Sequence, residues 1–345
     1  MDPKDFKKQF GRAFRGLRGD GLTQAAIAER LPQIEAAAAG GNAQAQWDLG
    51  NCKRYGWGCE RDEPAGLNWY MKAAEHGLLD AMFSVAACYQ EGWGVLRDPA
   101  EAANWFRRAA DKGHAMSAHY LAALYSRGVG VEQSDAEAFY WNMKAAEAGL
   151  ADAQENVGRG LRSGLGVRAD PAEAVKWFRR AADQGLAVAQ YSLGTCYHEG
   201  RGVPRNDGKA IEWFRKAADQ KHIEAQYNLA VLLAVGQGVK HDKAESLKWM
   251  FAAAEQGSGR AQCNLAITYQ LGDGVARDMA EAMRWLKLSA ENGEADGQAA
   301  LGRCYELGQD VPKDLETAKM WYRKAAAQGH PKVRALLEAL EKRNT

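Results

Sequence analysis

No run of 18 apolar residues occurs in this 345-residue chain, and that is the length at which a segment begins to read as a membrane-spanning helix. The first 30 residues also lack the continuous apolar core that directs export. Both absences lead us to expect a cytoplasmic protein with no membrane span. A dominant charge is missing as well: 45 basic residues stand against 44 acidic ones, for a net charge of +1. So balanced a chain offers little attraction to nucleic acid or anionic lipid. The expected partners are proteins or peptides, and not nucleic acid.

Cysteine pairing is scarce. Of six cysteines, Cys52, Cys88, Cys196 and Cys304 are separated by whole multiples of 36 residues, too far apart along a repeat stack to bridge. They read as small buried residues in a reducing compartment. Cys52 and Cys59 form the one local pair, and whether they ever join is left open by the sequence. Catalytic signatures are missing too. No two of the seven histidines have metal-ligand spacing together with a carboxylate or thiolate. His114, His222 and His330 share one column and read as polar turn residues. No Gly-x-Ser-x-Gly or Walker segment appears. The expectation is a non-enzymatic chain with no catalytic residue, no metal and no cofactor.

What is present is a period. Trp69, Trp105, Trp141, Trp177, Trp213, Trp249, Trp285 and Trp321 follow one another at intervals of 36 residues, so one small unit has been copied and stacked. In the second half of each unit, positions 66, 69, 70, 73 and 74 and their copies form the stripe of an amphipathic helix, here called B. Asp62, Asp98, Ser134, Asp170, Asn206, Asp242, Asp278 and Asp314 stand where a side chain caps its first turn. Glu101, Glu137, Glu173, Glu245 and Glu281 follow three residues on, the pattern of a reciprocal capping box. A glycine closes each unit, except that Lys221 replaces it once; a non-glycine there costs about 1 kcal/mol if the left-handed conformation is kept.

The first half, residues 43 to 55 and their copies, reads as helix A with an Ala, Leu, Gly/Ala and Tyr stripe. The Gly-x-Gly-Val segments between A and B follow a helix and recur, so they read as tight turns and not as phosphate loops. Gly158 and Gly160 lie inside the fourth A helix, each costing about 1 kcal/mol relative to Ala; this predicts a soft point over residues 155 to 163.

With these columns in place, the chain resembles the Sel1-like repeat (SLR) family, relatives of the tetratricopeptide repeats. Ala189-Gln-Tyr-Ser-Leu-Gly-Thr-Cys-Tyr-His-Glu-Gly-Arg-Gly-Val203 followed by Lys209-Ala-Ile-Glu-Trp-Phe-Arg-Lys-Ala-Ala-Asp219 carries the signature. The resemblance implies an all-α fold, a right-handed α/α superhelical solenoid of about eight 36-residue helix-turn-helix repeats, with the A helices lining the concave side. It implies adaptor or scaffold activity, in a bacterial regulatory, secretion-linked or immunity complex as in relatives. A small-ligand-binding or enzymatic member of the family, and a self-assembling structural protein, are the alternatives.

The expected organisation is an N-terminal arm and capping helix (1–41), eight repeats (42–77, 78–113, 114–149, 150–185, 186–221, 222–257, 258–293 and 294–329) and a C-terminal capping helix (330–345). In that last helix Leu336, Leu337 and Leu340 are expected to face inward. Residues 1–19 carry Phe6, Phe10, Phe14 and Leu17 at helical spacing among six basic residues, a segment that either caps the first repeat or docks on an acidic partner or membrane surface. The chain is expected as a monomer or low-order oligomer.

Candidate binding residues come from helix A columns outside the stacking stripe. By analogy with tetratricopeptide repeats, columns near 44, 47, 51, 54 and 55 face the groove. Column 47 reads Trp47, Phe83, His119, Glu155, Tyr191, Tyr227, Cys263 and Ala299. Its aromatics are either anchors for a bound peptide or spacers between successive A helices. Arg54, Arg127, Arg159, Arg162 and Arg303 add cationic points suited to acidic groups. Asn51 matches a position of the tetratricopeptide carboxylate clamp, but Trp47 stands where the lysine belongs. The predicted partner-binding set is therefore Trp47, Asn51, Arg54, Phe83, His119, Arg127, Arg159, Arg162, Tyr191 and Tyr227.

Overall fold

The computed structural model describes residues 24–238 and 240–342, so the arm at residues 1–19 lies outside the described residues. Eighteen helices and no strands are found among the described residues. The capping helix α1 (Gln24–Ala39) precedes eight hairpins. Their A helices are α2 (Ala43–Tyr55), α4 (Leu79–Glu91), α6 (Ala115–Arg127), α8 (Ala151–Ser163), α10 (Ala187–Glu199), α12 (Ile223–Val235), α14 (Gly259–Leu271) and α16 (Ala295–Leu307). Their B helices are α3 (Glu63–Glu75), α5 (Pro99–Asp111), α7 (Asp135–Glu147), α9 (Pro171–Asp183), α11 (Asp207–Asp219), α13 (Lys243–Glu255), α15 (Met279–Glu291) and α17 (Leu315–Ala327), and α18 (Val333–Lys342) closes the array. The helices fall into two compact units, one ending at Ala181 and the other beginning at Ala182. Each unit is an α/α solenoid of successive hairpins.

The capping residues act as their types require. All eight accept from backbone N–H groups of the following turn, for example Asp98 from Glu101 at 3.0 Å and Asn206 from Lys209 at 2.9 Å. The reciprocal half of the expected capping box does not form. Each capping residue's own N–H is already spent on an A-helix carbonyl, as from Asp98 to Tyr89 at 2.8 Å and from Ser134 to Tyr125 at 3.0 Å. The glutamates are thereby released, and Glu137 and Glu245 accept instead from the indole N–H of Trp141 and Trp249. Those tryptophans belong to the repeating column, whose rings are buried or half-buried. Lysine or arginine covers several of them, such as Lys216 at 3.9 Å from the Trp213 ring.

Two devices hold the array together, one between hairpins and one within them. Gln46, Gln154, Gln190, Gln226, Gln262 and Gln298 each donate from Nε2 to the carbonyl eight residues earlier, at 2.9–3.2 Å. The Oε1 of the last four accepts from an amide side chain thirty residues on (Gln220, Gln256, Asn292 and Gln328). Each of these last four amides thus ties its A helix to the B helix before it and to the end of the B helix after it, and removing one leaves polar groups unpaired at a cost of about 1–3 kcal/mol.

The second device is size matching between columns 50 and 70. Glycine at column 50 faces a ring: Gly50 against Tyr70, Gly158 against Phe178, Gly194 against Phe214 and Gly302 against Tyr322, with a Cβ at each glycine falling 2.6–2.8 Å from ring carbons. Alanine occupies that column where the partner is Asn142, Met250 or Leu286. The exception is Ala86 with Phe106, whose ring packs on Phe83 and Tyr120. Gly158, read from sequence as a weakness, therefore makes room for a ring, and Gly160 does the same for Phe139.

At the ends, α1 contributes Ile27 and Ala38 to a cluster with Leu49, Cys52 and Trp57. In α18 the inward residues are Val333 and Leu340 with Leu337 half-buried, whereas Leu336 is exposed, contrary to expectation. Lys221 does keep the left-handed conformation of its column, at φ 65°.

Candidate interaction surface

Five of the ten residues proposed from sequence are buried, not open to a groove. Trp47 donates its indole N–H to Ser84 Oγ at 2.9 Å, on the next A helix. Phe83 lies 5.5 Å from Phe106 and His114 and 5.3 Å from Tyr120. His119 meets Tyr120 edge-on at 5.9 Å. Asn51 accepts from the Tyr70 hydroxyl at 2.7 Å. The Arg54 guanidinium is buried between the rings of Trp93, at 3.5 Å, and Tyr55, at 4.6 Å. The correction has one physical cause. An A helix inside a stack touches its own B helix and both neighbouring repeats, so columns 47 and 54 become packing surface in the early repeats. Trp47 and Phe83 of column 47 fill space between successive A helices.

The other five keep contact with solvent. Tyr191 is half-buried and stacks on His222 at 4.7 Å, and Tyr227 lies under the Arg260 guanidinium at 4.6 Å. Arg162 is half-buried with its guanidinium 5.5 Å from the Phe178 ring. Arg127 and Arg159 are exposed. Arg159 Nε lies 4.0 Å from Oε1 of the buried Glu155. Burial pushes the Glu155 carboxyl up to about 7, and Arg159 and Arg162 offset this only in part. Burial likewise holds the His119 imidazole below its ordinary range.

The A-helix strip that does remain open is column 55 together with column 51 beyond the first two repeats, where Asn51 and Ala87 are buried. In column 55 the residues are Tyr55, Glu91, Arg127, Ser163 and Glu199, then Val235, Leu271 and Leu307. The last three are 69%, 70% and 55% exposed, and Ile267 of column 51 is 48% exposed. Large apolar side chains thus stand in water at one position of three successive repeats of the second unit. A cavity of about 550 Å³ opens beside them, between α14, α15 and α16.

A Sel1 repeat model matches eight consecutive segments, residues 43–78, 79–114, 115–150, 151–186, 187–222, 223–258, 259–294 and 295–330. The chain belongs to the Sel1 repeat family. Among solved structures it is similar to c5321, a protective antigen of uropathogenic Escherichia coli with an SLR fold, at 35% identity over 91% of this chain and 67% of that one, with a TM-score of 0.80. It is also similar to a Sel1 repeat protein from Oxalobacter formigenes, at 33% identity over 90% of this chain and 89% of that one, with a TM-score of 0.73. Comparison with curated proteins returns no match. Sel1 repeat solenoids are typical interaction folds. No helix among the described residues is long and apolar enough to cross a membrane.

Within this Sel1 repeat array, sequence reasoning missed the apolar row and the cavity. The signal was available: column 55 changes from polar to apolar at Val235 and stays so for the remaining repeats.

Proposed function

We propose that this Sel1 repeat protein is a non-enzymatic scaffold that holds a protein or peptide partner against the exposed strip of its A helices. The observation that carries this reading is the row Val235, Leu271 and Leu307, kept in water at equivalent positions of three repeats. Contiguous exposed apolar side chains on a soluble fold mark interaction sites. Arg127 and Arg159 give the first unit a cationic strip on the same columns. We place the activity in the cytoplasm and the chain as a monomer or low-order oligomer, in line with its composition. The test is affinity capture from native lysate with the full chain and with a Leu271→Ser, Leu307→Ser variant of unchanged circular dichroism. A protein held by the first and released by the second supports the scaffold; reproducible capture of nothing by either chain refutes it.

A further inference from the structure

Column 76, just before the closing position of each hairpin, supplies the second amide of the ladder. It is Gln220, Gln256 and Gln328 in three repeats and Asn292 in the seventh. Glycine follows it there, so this one exchange of Gln for Asn creates the pair Asn292-Gly293, and no other Asn-Gly occurs in the chain. The pair has a reactivity that Gln-Gly lacks. The carboxamide carbon of Asn stands one bond nearer the backbone, where the nitrogen of the next residue reaches it in a five-membered ring, and a following glycine has no Cβ to obstruct the approach.

The folded hairpin restrains this reaction and is vulnerable to its product. Asn292 caps α15 in a helical conformation, at φ −76° and ψ 6°. The Gly293 N–H, which carries the attacking nitrogen, donates to the Ala290 carbonyl at 3.2 Å, and the leaving amide is held by donation from Asn292 Nδ2 to Gln262 Oε1 at 2.9 Å. Asn292 is nevertheless exposed at a helix end, and helix ends open first. Gln262, in contrast, is buried with its Nε2 committed to the Ala254 carbonyl at 2.9 Å. Among the described residues, Asn292 is the donor to its Oε1.

We propose that Asn292 is a site of spontaneous deamidation whose product cuts the amide ladder in the seventh repeat. The Gly293 nitrogen bonds to Asn292 Cγ and gives up its proton, the Cγ–Nδ2 bond breaks, and ammonia leaves with that proton. Water then opens the resulting succinimide at either carbonyl, leaving aspartate or isoaspartate at position 292. Neither product has the amide N–H that Gln262 accepts, and each carries a carboxylate, an acceptor only, so the buried Gln262 Oε1 is left without a donor. The new charge falls at the negative end of α15, between Glu291 and Glu294. Isoaspartate also lengthens the backbone beside the left-handed turn at Gly293, φ 87°. The change is one-way, and it loosens α14, the helix that carries Ile267 and Leu271.

The experiment is incubation of the full chain at neutral pH, folded and in urea above its unfolding transition, followed by peptide mass mapping. Asn292→Asp and Asn292→Gln are compared with wild type by amide hydrogen exchange. Position 292 should convert before every other asparagine, and faster in urea than in the folded chain. Asn292→Asp should exchange about five- to thirtyfold faster than wild type in the first turn of α14 and the last turn of α15, the effect of losing one buried hydrogen bond. Asn292→Gln, which copies Gln220, Gln256 and Gln328, should keep wild-type exchange and not convert. If another asparagine converts first in urea, the reactive pair is wrongly assigned. Equal conversion in the folded and unfolded chains overturns the restraint by the turn, and wild-type exchange in Asn292→Asp overturns the cut in the ladder.

Discussion

Gly194→Ala separates two physical effects that point in opposite directions. Gly194 lies inside α10, where helix propensity alone makes alanine more stable by about 1 kcal/mol. The Cβ, however, falls 2.7 Å from two ring carbons of Phe214 and 3.2 Å from the Ala210 carbonyl oxygen. Phe214 is fully buried, and the ring of Tyr191 stands 5.7 Å from it, so the ring has little space into which to withdraw. Overpacking of this kind costs about 1–3 kcal/mol, which leaves a net loss of about 0–2 kcal/mol after the propensity gain is subtracted. In a Phe214→Leu background the obstacle is gone, and the pair becomes the Ala266/Leu286 combination that the array already contains. There the same glycine-to-alanine change should be neutral or stabilising. Repeat arrays can open in parts, so the assay is amide hydrogen exchange in α10 and α11 alongside urea unfolding. If Gly194→Ala slows exchange in the wild-type background, or if its effect is equal in both backgrounds, size matching across the hairpin is refuted.

Glu155→Gln tests the buried carboxyl. With its folded value raised to about 7 from an ordinary 4.5, Glu155 keeps its proton in the folded state while the unfolded chain has lost it. Stability therefore falls as pH rises through that window, at about 1.4 kcal/mol per pH unit and by up to about 3 kcal/mol in all. The glutamine variant should lack this component, so its advantage over wild type grows from pH 4.5 to 7.5 in urea melts; a constant difference contradicts the assignment. Lys221→Gly relieves a left-handed lysine and should stabilise the chain by about 1 kcal/mol, read as a higher thermal midpoint. Gln262→Leu removes the bonds to the Ala254 carbonyl and Asn292 and should cost about 1–3 kcal/mol, with faster exchange concentrated in α14; an unchanged melt rules out the amide ladder as a stabilising device.

The fold was legible because its determinants repeat. Eight tryptophans in register, eight capping residues and a closing glycine column each state the same hairpin, and agreement among copies removes the ambiguity of any single one. The candidate site was less legible for a reason built into stacking. Helical periodicity identifies which residues of α2 share a face, but a stacked helix has more than one buried face. Trp47 and Asn51 lie off the Leu49 and Gly50 stripe and still end inside, one against Ser84 on the following repeat and the other under the hydroxyl of Tyr70. The first aromatics of that column, Trp47 and Phe83, thus reported burial between repeats. The glutamates after the caps show the same limit. Their spacing reads as a capping box, but the N–H they would serve is taken by a carbonyl of the preceding helix, a tertiary contact that local spacing does not reveal.

A contrast between columns separates folding from binding in such an array. Columns 50 and 70 vary from copy to copy, yet all pairs but Ala86 with Phe106 are matched, glycine opposite a ring and alanine opposite a smaller side chain, and the glutamines of column 46 in the later repeats meet an amide. Column 55 has no such answer. Its passage from Glu199 to Val235, Leu271 and Leu307 is matched by no exposed neighbour that would shield the apolar side chains from water. Compensated variation preserves the stack, whereas uncompensated apolar exposure costs solubility and gains the fold nothing. A column of that second kind is where a partner's contribution is missing from the balance. By this criterion the second unit, at α12, α14 and α16, is the segment whose surface should lose exposure when the partner binds.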